Sequence, residues 1–224
     1  MSEIQPKKDQ SPSLFINFME TEPLLDDSRM NDTIKKILTA FPDACWGGSS
    51  VLYDVILPPT GTTANETATA STDKFWDSRD FDIYCFEKDY QKIISFLETC
   101  PMVYFRRTIP VMKKMFYANL DIKGLSEFAI KLKGLFERKL QIVNLGKQFN
   151  YSDLANAVDL SFCSVVVSNK TIYYLRTTKT DVLEKKGTLL IKSCMCESCL
   201  KNNRNRLNSK IVQRVKKYRS RGFT

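Results

Sequence analysis

Trp46-Gly47-Gly48-Ser49-Ser50 and Asp80-Phe81-Asp82-Ile83-Tyr84, with 30 residues between Ser49 and Asp80, decide how this chain is read. The first stretch predicts a tight glycine turn opening a helix. The second predicts a strand, and period-2 geometry puts Asp80 and Asp82 on one face with Phe81 and Ile83 on the other. Adjacent carboxylates repel unless a cation lies between them, and hard oxygen ligands suit Mg²⁺ or Mn²⁺. The Gly47-Gly48-Ser49 turn offers backbone N–H groups and a hydroxyl to a phosphate. These are the parts of a metal-assisted phosphoryl or nucleotidyl transfer site.

Composition narrows the chemistry further. The 224 residues include no histidine, which excludes Ser-His-Asp and Cys-His nucleophiles and every His-ligated metal. Carboxylate-held Mg²⁺ passes that filter. Seven cysteines, an odd number and several of them within apolar segments, fit a reducing interior. No apolar run reaches membrane-spanning length, and the first residues carry no signal-peptide core, so the expectation is an intracellular protein with no membrane partner.

Charge is unevenly spread. Leu200 to Thr224 holds nine basic residues and no acidic one, which leaves residues 1–199 with 25 of each sign. The whole excess of +9 therefore lies in this tail. A polyanion, RNA or DNA, is the partner it suits, with Lys210, Arg214, Lys217 and Arg221 as the contact stripe. The plainer alternative is a solvated basic helix.

Along the chain, residues 1–25 read as a flexible N-terminal arm, extended from Ser13 onward. Asn31 caps a predicted helix over Thr33 to Ala40, with Ile34, Ile37 and Leu38 on one face. A short strand at Ala44-Cys45-Trp46 leads into the glycines, and Ser50 to Leu57 is the helix beyond them. Pro58 to Thr72 is low in complexity and reads as a mobile insertion. The carboxylate strand spans Asp80 to Phe86, and an amphipathic helix follows over Asp89 to Thr99. Val103 to Tyr117 mixes aromatic and basic residues without a clear period. Phe128 to Leu132 and Lys139 to Leu145 predict strands, Tyr151 to Val158 a helix, and Phe162 to Ser168 with Thr171 to Leu175 a hairpin about Asn169-Lys170. A final helix is expected over Asn208 to Arg221, its apolar stripe being Ile211, Val212, Val215 and Tyr218. The units are thus an arm (1–25), a main domain (26–199, with 58–72 inserted) and a basic C-terminal helix (200–224).

This order of parts resembles the nucleotidyltransferase fold of the DNA polymerase beta-like superfamily. Its pattern is an apolar residue, Gly-Gly/Ser-Ser, about a dozen residues, then Asp-X-Asp/Glu. Removing the 15 residues of Pro58 to Thr72 leaves 15 between Ser49 and Asp80, close to that spacing. Leu140-Gln141-Ile142-Val143, Val158 to Cys163, Arg214 to Tyr218 and Arg221-Gly222-Phe223 resemble a divergent branch seen in large DNA viruses and fungi. The resemblance implies an α+β fold, a mixed sheet flanked by helices, with an extra C-terminal hairpin and basic helix. It implies location in the host cytoplasm or virion if the protein is viral. It further implies that Asp80 and Asp82 hold Mg²⁺ (or Mn²⁺), that Gly47, Gly48 and Ser49 grip a nucleoside triphosphate, and that a nucleotide passes to an acceptor hydroxyl.

One departure matters. The strand expected to supply a third acidic ligand carries Gln141, a neutral amide, with Asp159 as a substitute further on. The second reading is therefore a catalytically weakened relative that binds nucleic acid or serves as a structural virion or interaction protein. Cys194, Cys196 and Cys199 are a candidate Zn²⁺ site, but no histidine or second Cys-X-X-Cys completes four ligands, so free thiols are expected there. Tyr104, Phe105, Phe116 and Tyr117, interleaved with Arg106, Arg107, Lys113 and Lys114, are candidates for a nucleic-acid groove, or for packing with snorkelling basic stems.

Overall fold

The computed structural model describes residues 19–28, 30–56, 80–110, 122–131, 137–147, 149–156, 158, 160–188 and 212–224. Pro58 to Thr72, Asp159, the cysteines at 194, 196 and 199, Lys210, Lys113, Lys114, Phe116 and Tyr117 lie outside the described residues.

Three features shape the first half. Asn31 caps helix α1 (Asp32–Ala40) by accepting from the Thr33 backbone N–H at 2.9 Å. Ile34, Ile37 and Leu38 of α1 are buried. Strand β2 (Cys45–Gly47) is buried throughout and ends at Gly48, whose φ of +84° an L side chain rarely adopts. Helix α2 (Ser49–Val51) then runs straight into a π-helical turn at Leu52–Ile56, so the helix expected over 50–57 is present over the described residues but is wider than a regular one for most of its length.

Strand β3 (Phe81–Cys85) and helix α3 (Glu87–Glu98) follow, the latter burying Tyr90, Ile93 and Leu97 at helical spacing. Next come β4 (Val103–Thr108), β5 (Gly124–Lys131) and β6 (Glu137–Asn144). Helix α4 (Tyr151–Asn156) and a 3-10 turn (Ser161–Cys163) precede β7 (Val165–Ser168) and β8 (Thr171–Leu175). The hairpin is as expected, with a shorter first strand: Asn169 and Lys170 both have positive φ, which matches the twist of a two-residue turn. Helix α5 (Thr178–Leu183) and a last helix, α6 (residues 212–219), close the described chain.

The strands form one mixed sheet in the order β1-β8-β7-β2-β3-β6-β5-β4. Strand β1 (Met19–Pro23) pairs antiparallel with β8, so the end of the expected N-terminal arm is a sheet edge. Only β3 and β6 run parallel among these pairs, and the α3-β4-β5 segment makes the crossover that such a pair requires.

Alternation along the strands gives the two faces different fates. Trp46, Phe81, Ile83, Phe128, Leu140, Ile142 and Val167 point to one face, where α1 and α3 cover them in the main core. On the other face Cys45, Tyr84, Leu125, Val143 and Val166 form a smaller apolar cluster with Leu154 of α4. Among the described residues that cluster lies at one end of the face. The other end carries the carboxylates.

Candidate functional site

The registers assemble the site row by row. Gly47 lies opposite Asp82 across the β2–β3 pair, Asp82 lies beside Gln141 across β3–β6, and Gln141 lies opposite Glu127 across β6–β5. Glu127 is in turn opposite Arg107 on β4. Directly paired residues share a face, so one row reads Gly47, Asp82, Gln141, Glu127, Arg107. In the next row Asp80 meets Lys139, whose Nζ sits 2.8 Å from Asp80 Oδ2.

The glycine turn closes over this row. A Cβ built on Gly48 would stand 2.6 Å from Asp82 Oδ2. The backbone therefore approaches the carboxylate more closely than any other residue type permits. Trp46 Nε1 donates to Ser50 Oγ at 2.7 Å within the core, which ties the two ends of the turn together and occupies the Ser50 hydroxyl. Ser49 is half-buried at the start of α2.

Electrostatics mark Asp82 as unusual. Burial pushes its carboxyl up, Asp80 adds to the push, and Lys139, Arg214 and Lys217 oppose it; the outcome is about 7. Lys139 behaves in the opposite sense: partial burial pulls its ammonium down, but the hydrogen bond and charge of Asp80, helped by Glu127 and Asp82, leave it raised.

Arg214 and Lys217 reach this neighbourhood because α6 is anchored. Tyr218 and Phe223 are buried and pack on Phe162, with ring centroids 4.8 and 4.2 Å away. Cys163 Sγ donates to the Tyr218 hydroxyl at 3.2 Å. The Thr224 backbone N–H donates to the Lys185 carbonyl, and the Gly187 N–H to the Thr224 carbonyl. Lys217 is exposed as a whole residue, but the protein packed around its ammonium and the charge of Arg221 lower its pKa, against the pull of Asp80.

The basic helix thus lies beside the carboxylates. Arg221 departs from the expected contact stripe: it is buried, with its guanidinium 5.2 Å from the centre of the Tyr218 ring. Val212 departs from the expected apolar stripe and is exposed, while Val215 packs at the edge of the aromatic cluster.

Among the described residues no three Cys, Asp or Glu side chains converge as a metal-binding group. Glu127 shares the row of Asp82, but two strand spacings, about 10 Å, separate their backbones. The pair Asp80 and Asp82 nevertheless suits Mg²⁺, which is commonly held by one or two carboxylates with water and substrate phosphate completing the shell. Lys139 and Glu127 are the residues that the motifs did not single out, whereas Arg107, a candidate for a nucleic-acid groove, stands opposite Glu127 at the end of the row. The signal of the first two was faint: Lys139 stands two residues before Gln141, hence on its face, but its partner depends on strand register.

Neither a family model nor a curated protein matches the sequence. Among solved structures, the Thermotoga maritima CCA-adding enzyme complexed with tRNA is similar at 10% identity and TM-score 0.44, over 84% of this chain and 40% of that one. A CCA-adding enzyme in complex with ATP follows at 10% identity and 0.43, over 76% and 37%. The Bacillus stearothermophilus CCA-adding enzyme in complex with CTP stands at 11% and 0.34, over 70% and 32%. This chain spans at most about two fifths of their length. Overlap this loose assigns no residue a role. No helix among the described residues is long and apolar enough to cross a membrane.

Proposed function

We propose that the protein is a nucleotidyltransferase of the DNA polymerase beta-like kind, of the branch seen in large DNA viruses and fungi, acting on a nucleoside triphosphate and an acceptor hydroxyl. The observation that carries this reading is the seating of the Gly48 turn against Asp82 on the carboxylate-bearing face of the sheet. A helix that opens over a carboxylate pair places phosphate-binding N–H groups beside ligands for a divalent cation.

In this reading Asp80 and Asp82 hold Mg²⁺, which when bound screens the charge of the triphosphate and stabilises charge that develops on its oxygens. The Gly47-Gly48-Ser49 turn fixes the outer phosphates. Arg214 and Lys217 neutralise the triphosphate from the α6 side. The acceptor oxygen bonds to the α-phosphorus as the α–β bridging P–O bond breaks, the hydroxyl proton passes to water, and pyrophosphate departs. Positioning and charge do most of the work in such transfers.

A second reading has its own support. Gln141 is the neighbour of Asp82, and an amide offers neither charge nor a base; Asp80 is already paired with Lys139. These features suit a weakened enzyme that retains nucleotide or nucleic-acid binding. Incubation with each α-labelled nucleoside triphosphate, Mg²⁺ or Mn²⁺ and an RNA, DNA or protein acceptor separates the two. Incorporation that is abolished by Asp80→Asn with Asp82→Asn establishes transfer. Nucleotide cross-linking without incorporation, unrescued by Gln141→Asp, establishes the binding module.

A further inference from the structure

We propose that the Lys139 ammonium is a resident cation of the carboxylate pair, which leaves the pair able to hold one divalent ion rather than two. The inference rests on the metal reading of Asp80 and Asp82 above, and on what the parallel β3–β6 register does to Asp80.

Phe81 is paired with Leu140 and Asp82 with Gln141, so the residue beside Asp80 in the same register is Lys139. Its Nζ lies 2.8 Å from Asp80 Oδ2, with the two side chains 38% and 39% exposed. The register that starts at Phe81 and Leu140 brings the two residues just ahead of it within reach of each other, which distinguishes this contact from a chance pairing of distant surface side chains. Glu127 also acts on Lys139 through its charge, but its ion pair is with Arg107 at 3.6 Å, while the hydrogen-bonded partner of Lys139 is Asp80. Where an acid would add negative charge in the Asp82 row, Gln141 adds none.

The pair therefore offers two carboxylates against the bonded charge of Lys139, to which Arg214 and Lys217 add from α6. A single divalent ion together with Lys139 exceeds that negative charge. Two divalent ions would place a dication against an ammonium already bonded to the same carboxylate, a repulsion that short separation and partial burial strengthen. Lys139 also orders Asp80 before any ion arrives.

Full-length protein titrated with Mn²⁺ and followed by the electron paramagnetic resonance of the free ion reads the stoichiometry directly; a Mn²⁺-induced shift in melting temperature is the second readout. Wild type should bind one Mn²⁺ at the pair, removed by Asp82→Asn. Lys139→Met should bind two, or bind one at least roughly tenfold more tightly. Lys139→Arg keeps the charge and should behave as wild type, which separates charge from packing; circular dichroism confirms that each variant is folded. Two Mn²⁺ ions on wild type at Asp80 and Asp82, or a Lys139→Met protein that titrates as wild type does, overturns the proposal and leaves the metal reading standing. No Mn²⁺ on any form overturns both.

Discussion

The two faces of the sheet are cut from the same strands by alternation, and they solve opposite problems. Phe81 and Ile83 turn inward, fully buried beneath α1 and α3. Asp80 and Asp82, their neighbours in the chain, turn to a face where, among the described residues, the apolar cluster with α4 lies at one end. The closed face is stabilised by apolar area and packing, so it tolerates little change in volume. The carboxylate face gathers like charges and a half-buried carboxyl, which cost stability and are offset by Lys139 and by the docked cations of α6. The lesson is that one residue of sequence offset separates the part of a strand that holds the fold from the part that can do chemistry.

That contrast can be broken by substitution. The largest effect belongs to the closed face: Phe81→Ala should lose about 3–5 kcal/mol in urea unfolding, because a fully buried ring leaves a cavity that its neighbours only partly fill. A loss below about 1 kcal/mol would show that the face is loosely packed. Gly48→Ala, at the boundary, should cost about 1–3 kcal/mol from a backbone conformation (φ +84°, ψ −168°) that is essentially reserved for glycine. It should also displace Asp82 and weaken nucleotide binding, measured by calorimetry; intact binding would mean that the turn does not need its close approach.

The carboxylate face should show the reverse sign. Folded Asp82 keeps its proton up to about 7, whereas an unfolded carboxyl loses it near ~4. Between those values the native state binds the extra proton, so stability falls as pH rises through this window and levels off above it. With Asp82 half-buried, the loss in chelator-treated buffer should be on the order of 1–2 kcal/mol. Melting curves at pH 5 and 8 test it, and Asp82→Asn should flatten the difference. A wild-type curve that rises over this window would show that the ionised form is the stabilised one. The smallest change in folding is expected for Arg214→Gln with Lys217→Gln, within about 0.5 kcal/mol. The same pair should weaken triphosphate binding and lessen its salt dependence. Unaltered binding would restrict α6 to a structural role.

Much of this arrangement was legible before the strands were placed. The alternation in Asp80-Phe81-Asp82-Ile83 depends on residue type and a local period, so the two faces of β3 could be assigned from the chain alone. The cap at Asn31 and the turn at Asn169-Lys170 were readable for the same reason. Strand neighbours were not. Lys139 acquires its meaning only from a parallel register with residues far away in sequence, and Arg221 only from the aromatic pocket that buries it. Strand β4 hid for a different reason: it is a sheet edge with a bulge between Phe105 and Arg107, and beyond Val103 its residues are exposed, so no apolar period marks it.

The parallel pairing of β3 with β6 carries a kinetic consequence. Asp82 and Gln141 are 59 positions apart, and the loop between them must close before the two strands gain the ladder bonds they share, at an entropic cost that local hairpins avoid. The β7–β8 and β5–β6 hairpins can form by short-range contact, while the carboxylate row is complete only after the long closure. During refolding, probes in the β7–β8 hairpin should therefore report order earlier than probes at Asp82, and binding competence should be among the last properties to appear.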